Sequence, residues 1–367
     1  MNCELFVGSA AFWQAAGGDI ALAGRRVLIQ AMTFEGDAAG RTVAGAIAAS
    51  SAAERRVLVD DYTRHVINDT FLSLSKDAAL HAEARATWDM FDGLIASGAQ
   101  VKVTNPVGGN PFNYVLRNHR KLLVMDDAVW IGGINFSDHN FAWHDMMLRI
   151  ESAEVADWFA GEFDKDWHGQ TAPAQASFGG MDAYSLDGLH NAEGSLPLLR
   201  LFEDARHSIE VISAYPTFPF VTAMARAAER GVAVSIYTPR PNNKPIVRDY
   251  LMGMAARSGI RLRLLPQMTH VKAALVDGET VVAGSSNFDF VGYRVSAEYY
   301  AVLREVGIVG DFERLLFAPA QAGSGDPLPQ DFSRWRSWRA ALALRAADVL
   351  IHGLRHPPRV GEWARPD

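Results

Sequence analysis

The chain holds a single cysteine, Cys3, in 367 residues. One thiol can build neither a disulfide framework nor a cysteine zinc site within the chain, and such scarcity fits a reducing compartment. No run approaches about 18 uncharged apolar residues, so no membrane span is expected. The opening stretch, MNCELFVGSAAFWQAAGG, lacks the basic leader and long apolar run of a signal peptide. Positive charge is not in excess either. The formal net charge is −7, which leaves no global field for nucleic acid, so no nucleic-acid partner is expected. The remaining composition, 49% hydrophobic and 21% charged, is that of a globular protein long enough for one large domain or two ordinary ones. The expected place is the cytoplasm, or the periphery of a membrane.

Strand-like and helix-like segments alternate along the first half. RRVLIQAMTF (25–34), RRVLVDDYT (55–63) and VKVTNP (101–106) read as strands. RTVAGAIAASSA (41–52) and ARATWDMFDGLIASGA (84–99) read as helices between them. HRKLLVMD (119–126) and AVWIGG (128–133) then form two strands joined by an Asp-containing turn. The second half plays the same order: HSIEVISAY (207–215), a helix over 219–231, VAVSIYTP (232–239), a helix over 247–259, IRLRLL (260–265), HVKAALVD (270–277) and TVVAGSSN (280–287). Alternation of this kind implies an α/β fold with largely parallel sheets, and the matched order implies a duplication. The expected division is a first repeat over 1–168, a linker over 169–195, a second repeat over 196–318, and a linker with a helical tail over 319–367.

The duplicated stretch carries the chemistry. On a strand, residues i and i+2 share a face about 6–7 Å apart. His119 and Lys121 therefore look one way, as do His270 and Lys272. Asp126 and Asp277 have the opposite parity, and each sits where its strand enters a turn. They complete the candidate catalytic set but read as turn or support residues more than as reacting groups. Small residues and an amide follow each copy: Gly132, Gly133 and Asn135 in the first, Gly284, Ser285, Ser286 and Asn287 in the second. An acid comes next, Asp145 in WHDMML and Glu298 in SAEYYA. Either acid can accept a histidine Nδ1–H and leave Nε2 free to react.

A lone copy of this spacing would be structural. Two copies, each closing a repeat and each followed by matching small, amide and acidic residues, point to function. If the repeats are related by a pseudo-two-fold axis, two histidines, two lysines and two asparagines can converge on one phosphodiester. Lysine and asparagine then hold the non-bridging oxygens. One histidine attacks phosphorus, and the other protonates the leaving alkoxide and activates the acceptor. The lysines neutralise the phosphate, so no metal and no other cofactor are expected.

With H-x-K-x4-D followed by a small-residue turn and Asn, the chain resembles the phospholipase D superfamily, from about residue 5 to residue 315. HRKLLVMDDAVWIGGINFS (119–137), KPIVRDY (244–250) and VAGSSNFD (282–289) look like the bacterial cardiolipin synthases in their short form, without N-terminal membrane helices. The resemblance implies two fused repeats, each a mixed sheet flanked by helices, and a phosphohistidine route. It makes His119 the nucleophile and His270 the acid and base. Three departures bear on the acceptor. Thr269 precedes the second motif where a small apolar residue is more usual, Asp145 stands where the second repeat has Glu298, and Ile134 stands where it has Ser286.

Around the motifs, Arg117, Arg120 and Arg248 are candidates for a basic substrate rim. Lys244 fits either that rim or an ordinary solvated loop. His139 and His144 can be read as a metal pair, though satisfied histidines are the more economical reading. The tail sets Trp335, Trp338, Leu342, Ala346 and Val349 at helical spacing among Arg334, Arg336, Arg339, Arg345 and Arg355. That pattern fits an anchor on an anionic membrane surface, or a helix packed on the body with its arginines in water. The expected function is phosphatidyl transfer or phospholipase D hydrolysis on glycerophospholipids. A nuclease of the same superfamily fits the net charge and the Trp/Arg tail less well. A scaffold without activity fits two intact motifs less well.

Overall fold

A computed structural model describes residues 1–107, 111–170, 172–353 and 359–366, so Arg355 lies outside the described residues. The chain forms two compact units. Residues up to 170 together with 359–366 make the first, and residues 172–353 the second. The first holds strands β1 (Asn2–Val7), β2 (Arg26–Ala31), β3 (Glu54–Asp60), the small hairpin of β4 (Val66–Ile67) and β5 (Thr70–Phe71), β6 (Gln100–Thr104), β7 (Leu122–Met125), β8 (Ala128–Gly132) and β9 (Met146–Glu151). The second holds β10 (Ala174–Phe178), β11 (Met181–Asp187), β12 (Ser208–Ile212), β13 (Ala233–Pro239), β14 (Arg261–Leu265), β15 (Ala273–Val276), β16 (Thr280–Gly284) and β17 (Ala297–Leu303). A last strand, β18 (Val360–Glu362), returns to the first unit.

Each unit is built on one eight-stranded sheet, ordered β1-β9-β8-β7-β2-β3-β6-β18 in the first and β10-β11-β17-β16-β15-β12-β13-β14 in the second. Seven consecutive strands of one sheet correspond to seven of the other, from β1 and β11 to β6 and β14. The duplication therefore extends to the sheet order. The sheets are mixed rather than largely parallel. Only β2, β3 and β6, and likewise β12, β13 and β14, run parallel to one another. The physical reason is the connection at the motif. The turn at Asp126 and Asp127 is far too short for a crossover, so β7 and β8 pair antiparallel.

Residues read above as a linker supply β10 and β11, and β11 is the second unit's counterpart of β1. Small and turn residues masked the alternation of Met181 and Ala183, both fully buried. Both faces of the first sheet are covered, which is why its strands read as continuous apolar runs. Val27, Ile29, Val57, Val59, Leu123 and Met125 pack with Phe12, Val43 and Phe91 of the helices Ser9–Leu22, Ala38–Ala49 and Ala78–Ala96. The alternate residues Leu28, Leu58, Leu122 and Val124 are equally buried, and the helix Ala153–Trp167 packs against β2, β7, β8 and β9. The tail helix Arg334–His352 packs on the helix Pro245–Ser258.

Candidate active site

The histidine and lysine of each copy lie just ahead of their strand and not on it, because β7 begins at Leu122 and β15 at Ala273. In this extended lead-in each lysine is buried and curls back on its own motif. Lys121 Nζ donates to the His119 carbonyl oxygen at 2.8 Å, and Lys272 Nζ donates to the His270 carbonyl oxygen. The two units make the same contact separately. It holds a positive charge beside the histidine, and a buried ammonium needs such an acceptor.

The turn after each motif seats the acid. A Cβ on Gly133 would stand 2.2 Å from Asp145 Oδ1, so only glycine leaves room for that carboxylate. In the second unit the matching position is Ser285, whose hydroxyl donates to Glu298 Oε2 and also accepts from Tyr299 N at 3.0 Å. Asp145 precedes β9 by one residue and accepts from Met146 N at 2.8 Å, whereas Glu298 lies within β17. Asn135 Oδ1 accepts from Thr33 N at 3.4 Å, a long contact, and the residue is buried. Asn287 is 8% exposed, and among the described residues its Oδ1 has no hydrogen-bond partner.

Asp126 and Asp277 stand apart from this chemistry. Five residues of extended chain put Asp126 about 16 Å from Lys121. Its carboxylate accepts the N–H groups of Gly24 (3.0 Å), Arg25 (2.9 Å) and Arg26 (2.9 Å). Asp277 does the same for Arg206 (3.0 Å), His207 (2.7 Å) and Ser208 (2.9 Å). Both adopt left-handed backbone, φ 49° and 55°. They clamp the entry of β2 and β12 against the motif hairpin, and they do not contact the motif lysines. Burial alone would raise the Asp126 carboxyl, but the three N–H donors outweigh it and hold it below the usual range, and Asp277 behaves likewise. A depressed carboxyl stabilises the fold above the unfolded value of about 3.9 and loses that contribution as pH falls through the folded value. Replacing Asp126 by alanine should therefore cost roughly 1–2 kcal/mol in urea unfolding at neutral pH, with the deficit shrinking in acid. An equal deficit at both pH values would contradict the clamp.

The basic rim needs correction. Arg117 is buried, with its guanidinium on Asp60 and on the carbonyl oxygens of Asn105 and Asn113. Arg120 is 2% exposed and paired with Asp166 of the helix Ala153–Trp167. Both are structural ion pairs, drawn under the surface by acids far away in sequence. Arg248 is half-buried and donates to the Arg240 carbonyl oxygen at 2.9 Å. Lys244 is exposed and lies 4.3 Å from the centre of the Tyr215 ring, a cation–π contact. The Tyr215 and His270 rings are 6.1 Å apart, edge to face, and Tyr215 Oη donates to Asn243 Oδ1 at 2.6 Å.

Tyr215 closes the segment HSIEVISAY that reads as a strand, but β12 ends at Ile212 and Tyr215 lies in the loop that follows, so nothing in the sequence pattern singles it out. Asp289 was missed as well. It caps the helix Phe290–Arg294 through Gly292 N, and burial, reinforced by Glu298 and opposed by the Gly292 N–H, Lys244 and Lys272, pushes its carboxyl up to about 6. His139 is engaged by Ser137 Oγ at 3.0 Å and Asn140 Nδ2 at 2.8 Å, and burial lowers both its pKa and that of His144. These are histidines satisfied within the protein.

The family described as "Cardiolipin synthase, PLD-like domain" matches residues 18–167 and 198–316, well over half of the chain, with one motif copy in each segment. The chain belongs to this family. It is a phospholipase D-type enzyme of that family. Cardiolipin synthase B of Salmonella typhi is 23% identical over 391 residues, covering 96% of this chain and 87% of that protein. Cardiolipin synthase B of Escherichia coli K12 is 22% identical over 399 residues, covering 98% and 89%. Among solved structures, the phosphatidylserine synthase of Haemophilus influenzae Rd KW20 superposes with a TM-score of 0.72 at 15% identity, covering 96% of this chain and 95% of that one. At that identity the likeness establishes the fold.

Proposed function

We propose that the protein transfers phosphatidyl groups between glycerophospholipids through a phosphohistidine, with a lipid hydroxyl as acceptor and cardiolipin as product. The observation that carries the reading is the repeated arrangement itself: in each unit a histidine, a buried lysine folded onto that histidine's carbonyl, a tight turn and an acid set against it. A phosphodiester needs that set twice, once for each side of the phosphorus. His119 Nε2 attacks phosphorus, the bond from phosphorus to the leaving alkoxide breaks, and His270 supplies the proton. His270 then takes the proton of the incoming hydroxyl, whose oxygen displaces His119 and restores the free enzyme. Lys121, Lys272, Asn135 and Asn287 carry the negative charge of the phosphoryl oxygens. The cardiolipin synthases to which the chain is similar support the lipid substrate.

The enzyme would work at the membrane from outside the bilayer. Among the described residues no helix is long and apolar enough to cross it. The tail helix uses Ser337, Ala340, Leu344, Asp348 and Ile351 to pack, and leaves Trp335, Trp338, Leu342, Ala346 and Val349 exposed. An outward apolar stripe among arginines fits an anionic lipid surface.

The test is to incubate purified protein with defined phospholipids and identify the products by mass spectrometry. Cardiolipin from phosphatidylglycerol is the expected product. Phosphatidic acid alone would make water the acceptor, and cleavage of nucleic acid without lipid turnover would overturn the reading. Orientation by the acid has its own check. Glu298→Gln should slow turnover roughly tenfold, the worth of one charge-assisted hydrogen bond of about 1.4 kcal/mol, and shift the pH–rate profile. An unshifted profile would count against that role.

A further inference from the structure

In the first unit, three carboxylates meet beside the loop that carries Asn135's partner, Thr33. Glu35 and Asp37 follow β2, and Glu83 projects from the helix Ala78–Ala96; each offers an oxygen, and these oxygens all lie within 4.8 Å of one another. The duplication supplies an internal control. The bond from Glu35 N to Phe136 O recurs in the second unit as Thr217 N to Phe288 O. Asp37, which caps the helix Ala38–Ala49, corresponds to Pro219, which precedes the helix Phe220–Glu229. The fold therefore does not require acids there, since its second copy uses threonine and proline.

The cluster is held by donors around its edge. Asn68, at the left-handed tip between β4 and β5, donates its N–H to Glu35 Oε2 at 3.3 Å and its Nδ2 to Glu83 Oε2 at 3.0 Å. Asp37 accepts from Gly40 N at 2.9 Å and from Asp138 N at 2.5 Å. Gly36 N donates to Thr87 Oγ1 at 2.7 Å and pins the loop to the helix that carries Glu83. Among the described residues no N–H or O–H group of another side chain or of the backbone donates to the remaining oxygens, Glu35 Oε1 and Glu83 Oε1, which are buried, and Glu35 is 1% exposed. The charge around them is mostly negative, with Asp69 and Asp138 nearby. His139 Nδ1 is 3.9 Å from Glu35 Oε2, and Arg41 is turned to the Gly36 carbonyl. Burial raises the Glu35 carboxyl, opposed by the Asn68 N–H and reinforced by Glu83 and Asp37, and Glu83 is raised with it.

We propose that Glu35, Asp37 and Glu83 bind one hard divalent cation of the magnesium, calcium or manganese class. An all-oxygen, all-carboxylate donor set selects that class over softer metals. The cation would take one oxygen from each of Glu35, Asp37 and Glu83, and fix the 33–37 loop. Through Thr33 N and Asn135 Oδ1 that loop abuts the motif asparagine of the first unit. The cation braces the site and does not replace the lysines on the phosphate.

The experiment titrates the chelator-treated full-length protein with calcium, magnesium and manganese chlorides by calorimetry, and follows Tm in parallel. One equivalent should bind for at least one of the three, with Tm rising at saturation because only the folded chain offers the site. Glu83→Gln, a half-buried surface-helix position, should weaken that binding by about tenfold or more, since affinity follows ligand charge. Glu35→Gln should abolish it where that variant folds. Absence of binding for all three metals overturns the proposal. So does binding that Glu83→Gln leaves unchanged. A higher Tm in Glu83→Gln without metal, together with no metal response in the wild type, would identify a shared proton in place of the cation.

Discussion

Replacing either His119 or His270 by alanine should lower turnover on phospholipid by at least about 10³-fold, yet the two variants should differ in what they trap. The two histidines divide the labour. Without the nucleophile no nitrogen–phosphorus bond forms, so the His119→Ala protein should give no labelled phosphoenzyme with any substrate. Without the proton donor the alkoxide cannot leave, but a substrate with an acidic phenol as leaving group does not need that proton. His270→Ala should therefore still react once with such a substrate and accumulate the phosphoenzyme, because the base for the second step is missing. Acid-labile, alkali-stable phosphate on His119 is the readout. Near-wild-type turnover in either variant would end the two-histidine mechanism. Labelling of His270 in the His119→Ala protein would exchange the roles and leave the chemistry standing.

The sequence made the repeats legible because buried strands and amphipathic helices have different periods, and both units use them in the same order. The motif histidines and lysines were legible because their spacing occurs twice. Their exact setting was not, since an extended lead-in and a strand share the same alternation, and only the hydrogen-bond ladder separates them. Arg117 and Arg120 show a second limit. Their neighbours in sequence suggested a rim, but their partners, Asp60 and Asp166, lie 57 residues before and 46 residues after them. No local pattern announces a buried ion pair closed over such a separation. The same holds for Glu35, Asp37 and Glu83, which are unremarkable along the chain and become a cluster only when a loop, a hairpin tip and a helix meet.

The end of the chain carries little local pattern of its own. VGE is too short to show a strand period, yet β18 pairs with β6, Val360 opposite Thr104. Trp363 reaches the first unit's core, 4.4 Å between its ring and that of Phe91, and Arg365 pairs with Asp89 and Asp92. A tail that seemed one element is two, a helix on the second unit and a strap on the first. Truncation at residue 332 would thus strip the first unit of a strand and a buried tryptophan, and any loss of membrane binding would be confounded with loss of fold.

Point substitutions on the exposed stripe avoid that difficulty. Trp335 is 61% exposed and Trp338 55%, and their rings stack on each other 5.1 Å apart, so neither holds the helix to the body. Leu342 and Val349 continue the stripe at 56% and 74% exposed. Arg345 lies over the Phe218 ring at 3.7 Å and Arg336 faces Asp249 at 3.8 Å, while all four described arginines of the helix remain exposed. Each tryptophan taken from water into the interface is worth about 2 kcal/mol, and each arginine about 1 kcal/mol beside anionic headgroups. The Trp335→Ser, Trp338→Ser double variant should therefore bind phosphatidylglycerol vesicles at least about a hundredfold more weakly than wild type. Its unfolding midpoint should be unchanged, as should its turnover of short-chain monomeric substrate, because no motif residue lies on the helix. High salt should weaken the wild type further on anionic vesicles and have little effect on the residual binding to neutral phosphatidylcholine. Equal sedimentation of the double variant and the wild type with anionic vesicles would make the stripe incidental and place the membrane contact elsewhere on the protein.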